Sequence, residues 1–244
     1  MDEKIKRLKY LIENSNHIVF FGGAGVSTES GIKDFRSKDG LYNLKSKYGR
    51  PYEEMLSHTY FYEHTDTFYK FYKEFMLPKG VKPNYAHKFL AELEKEKDVT
   101  VITQNIDGLH QEAGSKNVIE LHGSILRNHC DRCGEFYSLK DLLEIKGDIP
   151  YCPKCHGIIK PDVVLYEEPL YEGVIESAIY KIMQADLFII AGTSLRVYPA
   201  SGLVRYYRGK NIVVINKEHL DVIGDDILEI NSPVGEVFSK IKEL

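Results

Sequence analysis

Short apolar runs that end abruptly in polar or glycine-rich clusters recur along this chain, and that hand-over constrains its fold more than any other feature. Residues 18–21 run into Gly22, Gly23, Ala24 and Gly25, and residues 99–103 into Gln104, Asn105, Ile106 and Asp107. Residues 187–191 run into Gly192, Thr193 and Ser194, and the stretch 211–216 closes on Asn216. Each run is too apolar to face water, so together they predict a parallel sheet covered on both faces. Helical patterns lie between them. Ile5, Leu8, Leu11 and Ile12 share one helical face over 3–14, and residues 52–77 hold an aromatic-rich set of helical segments. Further helices are expected over 85–96, 172–185 and 198–207 and from about 234, with a short strand near 226–230. The expected class is α/β, a Rossmann-like parallel sheet with helices on both faces. In such a sheet the carboxyl ends of the strands line one crevice, where ligands bind.

The first glycine cluster matches neither common nucleotide loop. Gly23-Ala-Gly25 is followed by Val26, Ser27 and Thr28, so the third glycine of a dinucleotide fingerprint is missing, as is the Gly-Lys-Ser/Thr of a P-loop. A phosphate cradle and a tight structural turn both remain open on spacing alone. Donors favour the cradle: the amides of 23–25, the Ser27 and Thr28 hydroxyls and the Arg36 guanidinium lie within a short arc.

The four cysteines form two pairs, Cys130-x2-Cys133 and Cys152-x2-Cys155, with 18 residues between the pairs. In a reducing compartment this spacing signals a metal rather than a disulfide framework, with a redox pair or disulfides as the alternatives. Two such turns offer four thiolates to one tetrahedral zinc ion. No position is left for a catalytic water, so the zinc is expected to be structural. His129 and His156 flank the pairs, but a full cysteine set leaves them no ligand role. The zinc-binding insertion is expected over about 125–160, dividing a main domain over 1–124 and 161–244, with the helical segment 38–80 contributing to the small lobe.

Charge narrows the partners. Lys and Arg number 32 against 36 Asp and Glu, a net charge of −4. Nucleic acid is therefore not the expected partner, because such surfaces are normally basic. The first residues lack the apolar core of a signal peptide and no apolar run approaches membrane-spanning length, so a cytoplasmic, membrane-free protein is expected.

In sequence order, Gly23-Ala-Gly-Val-Ser27, Gly31-Ile-Lys-Asp-Phe-Arg-Ser37, Thr103-Gln-Asn-Ile-Asp-Gly-Leu-His110, Leu121-His-Gly123, the cysteine pairs, Gly192-Thr-Ser-Leu and Asn216 resemble the sirtuin pattern over about 20–230. The resemblance implies an NAD-dependent protein-lysine deacetylase. In that chemistry NAD is a consumed co-substrate: the acyl-lysine oxygen takes the place of nicotinamide on the ribose, and the acyl group leaves on ADP-ribose. Gly23, Ala24, Gly25, Thr28, Phe35 and Arg36 would hold the pyrophosphate and ribose. Gln104, Ile106 and Asp107 would surround nicotinamide and its ribose. Gly192, Thr193, Ser194 and Asn216 would bind the phosphates and the adenosine side. Asn105 and Asp107 would fix the carboxamide, Phe35 would shield the centre from water, and His122 would be the general base. That last role suits a histidine, whose pKa lies near working pH. The other histidines, including His17, His58, His64, His87 and His219, take structural roles, with His110 expected to border the site.

The acyl-peptide would lie as a strand between the segments 162–168 and 195–199. Two departures stand out. Lys33 replaces the proline of the sirtuin loop, and Tyr166-Glu167-Glu168 replaces its Phe-Gly-Glu. Sirtuins that remove dicarboxylate acyl groups carry a tyrosine and, three residues on, an arginine. Here the best register gives Tyr69 and Tyr72 and the next gives Tyr72 and Phe75, neither with an arginine, so acetyl or another uncharged acyl group is expected. Core packing of the helical lobe is the alternative role for most of the aromatic run. A mono-ADP-ribosyltransferase or NAD glycohydrolase using the same site is the alternative activity.

Overall fold

The computed structural model describes residues 2–34, 48–222, 224 and 226–243. Its main sheet has six strands: β1 (His17–Gly22), β2 (Asp98–Thr103), β3 (Val118–Glu120), β7 (Leu187–Ala191), β8 (Asn211–Ile215) and β9 (Leu228–Ile230). They lie in the order β3-β2-β1-β7-β8-β9, and every pairing is parallel. The order reverses between β1 and β7, where Gly22 pairs with Ala191. An open α/β sheet leaves its crevice at such a reversal.

The β-branched runs alternate strictly between two cores, as a period of two requires. Ile18 and Phe20 of β1, with Leu187 and Ile189 of β7, face one core; Val19, Phe21, Phe188 and Ile190 face the other. The first core is closed by α1 (Asp2–Glu13), α5 (Tyr85–Leu93) and α9 (Val234–Glu243), the second by α8 (Glu172–Gln184) and the 3-10 turns Ala200–Tyr206. The 3-10 turns stand where an α-helix is expected over 198–207. The α5 helix stops at Leu93, short of 96, because its last residues tighten into turns.

A second, antiparallel sheet of β4 (Gly123–Cys130), β5 (Phe136–Ser138) and β6 (Ile159–Val163) carries the cysteines, with α7 (Leu139–Glu144) beside it. Neither these strands nor β3 nor α6 (Leu109–Ala113) is anticipated from the sequence pattern. β3, β5 and α6 are short, and β4, although eight residues long, mixes polar and charged residues with apolar ones and shows no continuous apolar run. The aromatic run folds as α2 (Tyr52–Met55), α3 (His58–Glu63), α4 (Thr65–Phe71) and a π-helical turn, Tyr72–Met76. Phe61, Phe68, Tyr69 and Phe71 are fully buried there and pack on Ile125, Val163 and Leu165 of the antiparallel sheet and its margin. Most of the run is thus core. The Tyr69 hydroxyl donates to the Ile159 carbonyl, which joins the lobe to β6.

His110 does not border the site. It is buried beneath α6 against Phe20 and His87, the two imidazole centroids lying 4.6 Å apart. His87 Nδ1 accepts the Asn84 amide in the capping box that opens α5, so its hydrogen sits on Nε2. Burial lowers His87 to about 4 and His110 to about 3, against an ordinary 6.5. The unfolded chain therefore takes up protons below about 6.5 while the folded chain does not. This contribution to stability is full above that value and is lost as pH falls toward 4. Urea unfolding is expected to lose on the order of 2–5 kcal/mol between pH 7 and 4.5. His110→Phe should flatten that slope, and an unchanged slope would assign the acid sensitivity elsewhere.

Candidate active site

Four strand ends converge at the reversal in strand order. The loop after β1 and the residues after β7 cross with no room for side chains. Gly25 N–H donates to the Gly192 carbonyl at 2.7 Å, and Gly23 N–H to the Ala191 carbonyl at 3.2 Å. A Cβ on Gly23 would meet Gly192 O at 2.9 Å, and one on Gly25 would meet Gly192 Cα at 2.8 Å. The expectation that the amides of 23–25 all serve as ligand donors is corrected for Gly23 and Gly25. Their amides are engaged within the protein, and what they contribute is close approach. Gly192 has φ +56°, and its Cβ would lie 2.5 Å from the Val26 nitrogen. Gly192→Ala should cost about 2–5 kcal/mol from left-handed strain plus overpacking. Melting should show this as a drop of roughly 5–15 °C.

The polar set after β2 is wired to this loop. Ser27, buried at 1% exposure, donates through Oγ to Asp107 Oδ2 at 2.7 Å and accepts Asn105 Nδ2 at 3.0 Å. Asp107 Oδ1 accepts the Leu109 amide at 2.9 Å. Burial raises the Asp107 pKa, opposed by the Leu109 and Ser27 hydrogen bonds. Gln104 Nε2 donates to Thr193 Oγ1 at 3.1 Å, linking the ends of β2 and β7. Thr28 Oγ1 donates to the Gly25 carbonyl at 2.9 Å, closing the loop on itself. Ser27 is the hub of the network. The sequence shows it only as a hydroxyl beside glycines, since its partners lie about 80 positions away.

His122 follows β3. Its Nδ1 lies 2.8 Å from the Gln104 carbonyl, which can only accept. The hydrogen is therefore on Nδ1, and Nε2 keeps its lone pair as the basic nitrogen. Burial lowers the pKa, with the Gln104 carbonyl opposing it. The backbone is held as well: Val164 N–H donates to the His122 carbonyl at 3.0 Å, and Ile125 N–H to that of Ile106 at 3.0 Å. These bonds set the antiparallel sheet above the strand ends.

Between the two sheets and the aromatic lobe lies a cleft of about 610 Å³. Ala24, Ser27, Gln104, Asn105, Ile106, Asp107 and His122 line its base. Residues 163–168 form one wall, and Val197, Tyr198 and Pro199 another; Lys33 is on the rim, and Tyr72 and Phe75 come from the aromatic lobe. Gly192, Thr193, Ser194 and Asn216 sit at the ends of β7 and β8 rather than on the cleft lining. Thr193 reaches it through Gln104, and the Asn216 side chain donates to the Glu218 carbonyl. Phe35 and Arg36 lie outside the described residues.

The cysteines come together as their spacing predicts. All four Sγ atoms lie within 4.8 Å of one another, Cys130 and Cys155 at 3.4 Å and Cys133 and Cys152 at 3.7 Å, and none forms a disulfide. A Cβ at Gly157 would press within 2.8 Å of Cys130 Sγ, so the turn there is shaped around sulfur. The donor set fits one tetrahedral thiolate-bound ion.

The Sir2 family model matches residues 23–199, more than half of the chain. The chain belongs to the Sir2 family, the sirtuins. It is 56% identical to the NAD-dependent protein deacetylase of Clostridium perfringens (strain 13 / Type A) over 99% of both chains. It is 50% identical to that of Clostridium acetobutylicum over 98% of both. A solved Sir2 structure, a histidine-to-alanine variant with deacetylated p53 peptide and 3′-O-acetyl ADP ribose, superposes with a TM-score of 0.86 at 37% identity, covering 98% of this chain and 97% of that one. The parallel sheet beside a smaller antiparallel sheet is thus the Sir2 fold. No helix among the described residues is long and apolar enough to cross a membrane.

Proposed function

We propose that this Sir2 protein is an NAD-dependent protein-lysine deacetylase that moves the acyl group from lysine to ADP-ribose and releases nicotinamide. The observation that carries the reading is His122, placed on the cleft with Nδ1–H engaged by Gln104 and Nε2 basic. The deacetylase names of relatives that align over nearly the whole chain support it. When bound, NAD would supply an activated ribose carbon and a leaving nicotinamide. Ala24, Thr28, Phe35 and Arg36 would hold its pyrophosphate and ribose, Gln104, Ile106 and Asp107 would surround nicotinamide and its ribose, and Thr193, Ser194 and Asn216 would bind the phosphates and the adenosine side. The crossing at Gly23, Gly25 and Gly192 lets the backbone of these loops approach so closely.

Asn105 and Asp107 would orient the carboxamide, and Ser27 fixes both side chains before any ligand arrives. Such preorganisation suits a reaction whose centre develops oxocarbenium character and needs positioning more than a strong nucleophile. His122 Nε2 would take a proton from a ribose hydroxyl and so free that oxygen to receive the acyl group. The cysteines would hold one structural zinc ion.

The acyl-peptide would lie between the walls at 163–168 and 197–199. In the sequence register that resembles dicarboxylate-removing sirtuins, Tyr72 stands where those carry arginine, and it lines the cleft. Its buried hydroxyl has no hydrogen-bond partner among the described residues, and burial raises its pKa so that it stays neutral. A neutral wall suits an uncharged acyl group such as acetyl. Incubation with NAD and an acetyl-lysine peptide should yield O-acetyl-ADP-ribose by mass spectrometry. Nicotinamide release that is equally fast without peptide would replace this reading with NAD glycohydrolysis.

A further inference from the structure

We propose that Glu167 is a positioning residue: its carboxylate caps α3 from outside the helix and so fastens the cleft wall at 165–168 to the aromatic lobe. The proposal rests on the reading of that wall as one side of the acyl-peptide groove. Three successive amides open α3, and each has an acceptor. His58 N–H donates to the Tyr166 carbonyl at 2.9 Å, Thr59 N–H to Glu167 Oε2 at 2.9 Å, and Tyr60 N–H to Ser57 Oγ at 3.1 Å. Two of these acceptors come from a segment more than 100 positions away. Tyr166 N–H returns a bond to the Leu56 carbonyl at 2.9 Å, and His58 Nδ1 lies 2.9 Å from Glu168 Oε1. Glu168 also accepts the Leu165 amide at 2.8 Å and Lys160 Nζ at 3.2 Å, which ties the turn back to β6.

The backbone of Glu167 makes the cap notable. Its φ is +76°, a region that glycine enters freely and a residue with a Cβ enters at a cost. The sirtuin pattern has glycine here. A turn alone would favour that glycine, so the strained glutamate is accounted for by what its carboxylate reaches. The Glu167 carboxyl is accordingly held below its ordinary value, the Thr59 amide being the largest cause. With the cap in place, the wall and the lobe that both line the cleft move as one body. A peptide then meets a groove already at its binding width, which should appear in KM more than in kcat.

Glu167→Gly and Glu167→Gln test this, read by amide hydrogen exchange at Thr59 and by kcat and KM for an acetyl-lysine peptide. Glycine relieves the backbone but deletes the acceptor, whereas glutamine keeps an acceptor of the same reach. In Glu167→Gly, Thr59 exchange should quicken about tenfold and KM should rise about tenfold, the scale of one charge-assisted bond. The value of kcat should stay within about twofold, and Glu167→Gln should restore most of both losses. Unchanged Thr59 protection in Glu167→Gly would overturn the cap, and lost protection with unchanged KM would overturn its positioning role. If the wild-type chain itself fails to consume NAD with peptide, the deacetylase reading falls. Peptide binding by fluorescence anisotropy then replaces KM, and Thr59 exchange still decides the cap.

Discussion

His122→Ala is expected to lower kcat/KM for acetyl-lysine peptide by about 10²–10⁴, the usual contribution of a positioned general base. The fold should survive, because the side chain lines the cleft rather than a packed core and makes one hydrogen bond, to the Gln104 carbonyl. Melting of the variant should therefore stay within a few degrees of the parent, about 1 kcal/mol of hydrogen bonding. The split between steps is the sharper readout. On the proposed mechanism, nicotinamide release in a single turnover would depend on the Ser27, Asn105 and Asp107 network rather than on His122, so it should fall much less than O-acetyl-ADP-ribose formation. Equal losses in both steps would place His122 in positioning instead of proton transfer.

The pH profile adds a directional check. Burial lowers the His122 pKa, with the Gln104 hydrogen bond opposing the shift, so the imidazole is neutral and competent throughout the neutral range. The acid limb of kcat/KM should lie below the ordinary histidine value of about 6.5, with activity lost as pH falls through it. A limb above that value would contradict the burial seen here.

Cys152→Ser is expected to have the largest effect on the fold itself. Cys152 is fully buried, its sulfur close to the other three and 3.1 Å from the Tyr137 hydroxyl. Apparent zinc binding in small four-ligand sites amounts to about 10–16 kcal/mol, comparable to or larger than the net stability of a typical domain. Metal analysis should fall from about one zinc per chain to near none, and the β4–β5–β6 sheet should lose its protection from hydrogen exchange. The parallel sheet has its own cores on both faces and should persist. Peptide-dependent turnover should be lost too, because the wall at 163–168 continues directly from β6. A variant that keeps full activity without metal would remove zinc from the account.

The central strands of the parallel sheet are legible because they are buried on both faces and must be largely apolar, as with Leu187–Ala191, whereas the edge strand Val118–Glu120 is half-buried and carries no such run. The cysteine cluster is legible because ligand spacing is local chemistry. The strands of the antiparallel sheet are not, since Phe136–Ser138 is too short to separate from a loop and Gly123–Cys130 mixes polar and charged residues with apolar ones. His110 shows the limit for single residues. Its place in a polar motif suggests the cleft, yet its position on α6 turns it into the core against Phe20.

What the sequence determined alone is the parallel sheet, the thiolate cluster, and the family to which Gly23, Asn105, Asp107 and His122 belong, because periodicity and motif spacing are local properties of the chain. What only the tertiary structure decided is how those residues are held. Ser27 joins Asn105 to Asp107, Gln104 fixes the tautomer of His122, and Glu167 reaches across to Thr59. Each of those bonds spans a separation in sequence over which pattern carries no information, and it forms only where packing brings the two ends within reach.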